Sequence, residues 1–128
     1  MEPTPDPQEI RELKAFVPAR DYELSKRFYQ AIGFQLQSDG SDVSLFQRGG
    51  ATFLLQNFYV ETHASNFMMH LLVENVDAWH EALVAAKVVE QFGVSLLPIE
   101  TQPWGMRDFV LTDPSGVLWR IAEQIDAR

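Results

Sequence analysis

Asp108-Phe109-Val110-Leu111-Thr112-Asp113-Pro114-Ser115-Gly116-Val117-Leu118-Trp119-Arg120-Ile121-Ala122 reads as two strands joined by a tight turn. Proline holds φ at about −65° and cannot enter the mirror-image turn that closes two-residue hairpins. It suits the second position of a type I turn, with Gly116 left-handed as a bulge. That three-residue loop sets Asp113 opposite Val117 and Val110 opposite Arg120. Alternation then puts Asp108, Val110, Leu118, Arg120 and Ala122 on one face, and Phe109, Leu111, Trp119 and Ile121 on the other. The second face is wholly apolar and should pack under a helix. The mixed face is the candidate ligand face.

Outward from this hairpin, Gln102-Pro103-Trp104-Gly105 forms the loop that enters it, preceded by a strand over Val94–Ile99. Asn75 caps a helix in which Val76, Trp79 and Leu83 share a face, and Phe67–Val73 is the strand before it. The first half repeats this order: a strand over Leu13–Pro18, Asp21 as N-cap, and a helix over Tyr22–Ile32 striped by Leu24, Phe28 and Ile32 and stopped by Gly33. Strands over Phe34–Gln37, Val43–Gln47 and Thr52–Phe58 follow, punctuated by Asp39-Gly40 and Gly49-Gly50. The two caps lie 54 positions apart, and the same offset pairs Lys14 with Met68 and Phe16 with His70. The chain is therefore expected to be α+β, two tandem βαβββ modules over about residues 10–60 and 65–124. They form one domain, 10–128, behind a flexible arm of residues 1–9.

The 128 residues suffice for one cored domain, and 46% of them are apolar. The absence of cysteine removes disulfides, thiolate–zinc sites, iron–sulfur clusters and a cysteine nucleophile. Eighteen acidic against ten basic side chains give a charge of −8, which disfavours nucleic acid and is compatible with a cationic ligand. Without a basic, apolar leader or a membrane-length apolar run, a cytoplasmic protein is expected. No serine sits in a nucleophile elbow and no glycine pattern marks a phosphate or dinucleotide site. Asp108 reads either as a general base or, more plainly, as the diagonal ion-pair partner of Arg120. Trp104 either roofs a cavity or packs on the barrel edge.

In order and spacing, Phe16-Val17-Pro18-Ala19 with Asp21, Phe28-Tyr29 ahead of Gly33-Phe34, His70-Leu71-Leu72-Val73, Val76-Asp77 with Trp79, Gln102 to Arg107 and Asp113-Pro114-Ser115-Gly116 resemble the vicinal oxygen chelate superfamily. That superfamily includes glyoxalases, extradiol dioxygenases and bleomycin-resistance proteins. The resemblance implies a curled mixed sheet around a central cleft, and in the family's enzymes a divalent metal held by His, Glu or Gln. The corresponding positions here are Lys14, Met68, Arg120 and a place near Leu54 or Gln56. Ammonium and guanidinium groups have no lone pair to give, and methionine prefers soft metals. The resemblance thus implies a member without metal, cofactor or assigned catalytic residue, similar to bleomycin-resistance proteins and homodimeric. It would bind a small organic molecule through Lys14, Phe16, Phe46, Gln56, Met68, His70, Trp104, Asp108 and Arg120. The alternatives are a metal-dependent lyase or dioxygenase with a ligand set displaced around His70, and a filled barrel whose partner is another protein.

Overall fold

A computed structural model describes residue 4 and residues 6–125. Asp21 accepts a hydrogen bond from Leu24 N at 3.1 Å and starts helix α1, Tyr22–Ala31. Gly33, at φ +104°, turns the chain out of the helix, a conformation that costs glycine nothing. Around α1 lie β1 (Phe16–Pro18), β2 (Gln35–Asp39), β3 (Val43–Arg48) and β4 (Ala51–Gln56), in the order β1-β4-β3-β2 with β1 and β4 parallel. After a single helical turn, α2 (Glu61–Ala64), the same plan returns: β5 (Met68–Leu72), α3 (Val76–Ala85), α4 (Val88–Phe92), β6 (Glu100–Gln102), β7 (Met106–Thr112) and β8 (Leu118–Gln124). This second sheet runs β5-β8-β7-β6 with β5 and β8 parallel. The two expected βαβββ modules are thus present as two four-stranded mixed sheets. Of the arm expected over residues 1–9, residue 4 and residues 6–9 are exposed, and residues 1–3 and 5 lie outside the described residues.

The last hairpin has the register its turn chemistry dictates. Val110 faces Arg120, Asp113 N donates to Val117 O at 2.8 Å, Gly116 N closes the turn on Asp113 O at 3.0 Å, and Gly116 has φ +91°. The strand expected over Val94–Ile99 is corrected. Only Leu96 bridges to Leu111 there, and regular pairing resumes at Glu100–Gln102 with a one-residue slip. Pro98 has no N–H to give the ladder, and the slip falls at that point. The short helix α4, entered through left-handed Lys87 at φ 55°, has no counterpart in the sequence reading.

The apolar faces of both sheets meet in one core, with α1 shared between them. Tyr29 lies 4.8 Å from the Phe53 ring of the first sheet and 5.7 Å from the Trp119 ring of the second. Its hydroxyl donates to Asp113 Oδ2 at 2.5 Å and accepts from Trp119 Nε1 at 2.9 Å. Burial, then the Asp113 charge, push the phenol well above its ordinary pKa, so it stays a donor. Arg48 fastens the modules from the other side. It donates to Ile32 O at 2.8 Å at the end of α1 and stacks 4.2 Å over Trp79 of α3. With the inner faces consumed, the outer faces of the two sheets point away from each other.

Candidate functional site

Period-two alternation decides what the outer face of the second sheet presents. Phe109, Leu111, Trp119 and Ile121 are buried in the core, so Asp108, Val110, Leu118 and Arg120 face outward. A second Pro-x-Gly turn, Gln102-Pro103-Trp104-Gly105, pairs Gln102 with Met106 and Glu100 with Asp108, and Gly105 takes φ +83°. It lifts Trp104, 65% exposed, over the edge of the face. Leu97, Glu100, Gln102, Trp104, Asp108 and Arg120 enclose a pocket of about 240 Å³ with Pro98, Phe109 and Val110.

The floor of this pocket is unusual electrostatically. Asp108 is only 2% exposed. Its Oδ1 accepts from Gln102 Nε2 at 2.9 Å. Its Oδ2 lies 3.1 Å from Arg120 NH1, an ion-pair distance, yet no N–H is aligned on it and it has no hydrogen-bond donor. Arg120 lines the pocket with its side chain 29% exposed, held at one end by this ion pair. The guanidinium thus covers a buried carboxylate oxygen and is itself partly exposed at the pocket.

The nine site residues inferred from sequence divide. Trp104, Asp108 and Arg120 come together in the pocket. His70 pairs with Arg120 and Met68 with Leu118 on the parallel strand β5, so both lie on the same outer face beyond the pocket wall. Phe16, paired with Leu54, and Gln56 lie on the outer face of the first sheet. Lys14 precedes that strand and is ion-paired to Glu12 at 2.9 Å. Phe46 is corrected outright: it is 0% exposed and stacks on Phe53 at 5.5 Å in the core. Strand β3 buries Ser44 and Phe46 together, because the Ser44 hydroxyl is satisfied by Tyr22 and Asp39. Gln102 and Leu97 line the pocket and are not among the residues inferred from sequence. The repeated Pro-x-Gly turn was the available signal, since it predicts the Gln102 register as firmly as it does that of Asp113.

Duplicated βαβββ modules, each a four-stranded mixed sheet, define a class of protein, and the class has a family. The chain belongs to the Glyoxalase/Bleomycin resistance protein/Dioxygenase superfamily, whose model matches residues 13–121. No curated protein matches it. Among solved structures it is similar to the bleomycin-binding protein from bleomycin-producing Streptomyces verticillus complexed with copper(II)-bleomycin, at 23% identity and TM-score 0.72, covering 88% of this chain and 97% of that one. It is similar to TnmS3, an antibiotic binding protein from Streptomyces sp. CB03234, at 23% identity and TM-score 0.71, covering 90% and 97%. It is also similar to a lactoylglutathione lyase from Agrobacterium tumefaciens, at 16% identity and TM-score 0.67, covering 92% and 95%.

The family's divalent-metal positions carry a donor set that does not fit such an ion. Lys14 and Arg120 are engaged as cations with Glu12 and Asp108, and Met68 offers only a thioether. Among the described residues no three His, Cys, Asp or Glu side chains converge. No helix among them is long and apolar enough to cross a membrane.

Proposed function

We propose that this chain is a cytoplasmic small-molecule-binding protein that sequesters an organic ligand on the outer face of its second sheet, without metal catalysis. The observation that carries the reading is the pocket of about 240 Å³ floored by the Asp108–Arg120 ion pair, with an exposed indole at its edge. Apolar walls with a few convergent polar groups are the usual make-up of a ligand site. The fold shared with bleomycin-binding and antibiotic-binding proteins supports the choice of a bleomycin-type antibiotic as first probe. A charge of −8 favours the approach of a ligand that is cationic overall.

We further propose a homodimer. Phe16 on the first outer face and Met68, Leu72 and Trp104 on or beside the second are large, apolar and exposed, more than a lone chain is expected to leave uncovered. A molar mass near 29 kDa by light scattering, twice 14.6 kDa, is the expected result, and a strictly monomeric protein refutes it.

Titration with metal-free bleomycin should quench tryptophan fluorescence saturably. Trp119 is buried and Trp79 lies under Arg48, so the response should vanish in Trp104→Phe. Silence up to about 50 μM, where binding is worth roughly −6 kcal/mol, removes bleomycin-type antibiotics. Stoichiometric divalent metal in the purified protein, with an activity lost to chelator, would turn the reading toward the lyase or dioxygenase class.

A further inference from the structure

Regular strand pairing does not hold the wall of the pocket that Leu97 and Pro98 form. Leu97 N donates to Val110 O at 3.0 Å, but among the described residues no backbone N–H returns to Leu97 O. Pro98, next in the chain, confines Leu97 to extended backbone and has no N–H of its own. A carbonyl dropped from a ladder needs a donor from elsewhere. His80 supplies one from α3, its Nε2 standing 3.1 Å from Leu97 O. We infer that His80 is a positioning residue of the pocket, a latch that fixes the Leu97–Pro98 wall from behind without touching the ligand. The inference rests on the small-molecule reading above.

The chemistry of the contact is restrictive. A carbonyl oxygen only accepts, so Nε2 carries the proton, in the neutral ring or in the cation. The ring is also set against Phe109, which lines the same pocket, with centroids 4.8 Å apart and planes at 85°. That edge-to-face contact fixes where Nε2 can point. Leu97 is thereby held at both ends, its N–H by Val110 and its carbonyl by His80. Its side chain, 48% exposed, lines the pocket with Trp104.

What this does for binding is a matter of order. A wall fixed before the ligand arrives need not be ordered by it, and such preorganisation raises affinity. Released from His80, the segment around Pro98 opens more often, and the ligand must close it again.

His80→Phe keeps a ring against Phe109 and a helix propensity close to that of histidine, and it deletes the donor. In this variant the Leu97 amide should exchange with solvent about fivefold faster, and metal-free bleomycin should bind about fivefold more weakly. In His80→Gln an amide N–H ends near the place of Nε2, and both quantities should return to within about twofold of wild type. His80→Asn, whose amide falls short, should behave as His80→Phe does, and it decides the matter if the latter fails to fold. NMR of the wild type should find the His80 proton on Nε2. A neutral ring protonated on Nδ1 instead overturns the inference. So does an unchanged Leu97 exchange rate or bleomycin affinity in the donor-less variant while the wild type binds. Bleomycin silence against the wild type itself sinks the small-molecule reading for that ligand, and the inference falls with it.

Discussion

Asp113 and Asp108 lie five residues apart on one hairpin, and the chain buries both, to 3% and 2% exposure. Asp113 is fully employed. Its Oδ1 accepts from Ser115 N at 2.8 Å and Val117 N at 2.9 Å, and its Oδ2 from Tyr29 at 2.5 Å. Asp108 has one amide donor from Gln102 and a misaligned guanidinium. The first carboxylate closes a turn and ties it to α1; the second sits between Gln102 and the Arg120 guanidinium at the floor of the pocket. Burial is therefore common to both and diagnostic of neither. What separates the two acids is how many of their lone pairs accept well-aligned hydrogen bonds inside the protein.

The sharpest way to break the contrast is to remove both acids and compare stabilities. Asp113→Ala strands two buried N–H groups and the Tyr29 hydroxyl, and should cost about 3 kcal/mol by urea denaturation. Tyr29→Phe removes the partner of Asp113 Oδ2 and Trp119 Nε1 and should cost about 1–2 kcal/mol. Asp108→Asn should cost less than about 1 kcal/mol, since the shape is kept and the Arg120 side chain, partly exposed, can turn to water. Its effect should fall on bleomycin binding instead, weakened about tenfold as Arg120 loses the charged partner that positions it. If Asp108→Asn unfolds the protein as readily as Asp113→Ala, Asp108 is structural and the site assignment fails with it.

The hairpin carrying both acids was legible in the sequence because its turn chemistry is local. Proline forbids one turn type, glycine permits the bulge, and the register of Val110 with Arg120 and the face of Asp108 follow. The caps Asp21 and Asn75 were legible for the same reason. The displaced strand was not, because Pro98 slips the register where β-propensity alone runs on through Ile99. Phe46 was misplaced because Ser44, a polar residue two positions before it on the same strand, is buried beside it rather than facing water, which hides the alternation. Nor could periodicity tell that both apolar sheet faces share α1. That packing separates Lys14, Phe16 and Gln56 from Met68, His70, Asp108 and Arg120, and only the tertiary contacts of Tyr29 with Phe53 and Trp119 reveal it.

The smallest effect expected, and the finest test of how fully Asp113 is employed, is in acid. Burial lifts the Asp113 carboxyl above the ordinary range, although the hydrogen bonds from Tyr29, Val117 and Ser115 pull against it. The native state then binds the proton more readily than the unfolded chain. The associated stability is complete below the unfolded pKa and fades as pH rises through the raised native value. Asp77 and Asp39 behave oppositely: hydrogen bonds from Arg107 and Lys26 lower them, so their contribution is present above the unfolded pKa and is lost as pH falls through the native value. The stability gap between wild type and Asp113→Asn should accordingly widen from pH 7 to about pH 4, while the gap for Asp77→Asn narrows over the acid end of the same range. Urea midpoints for the two variants at both pH values provide the measurement. A gap for Asp113→Asn that shrinks in acid would mean that the three donors outweigh burial, and that Asp113 is even more completely satisfied than its contrast with Asp108 requires.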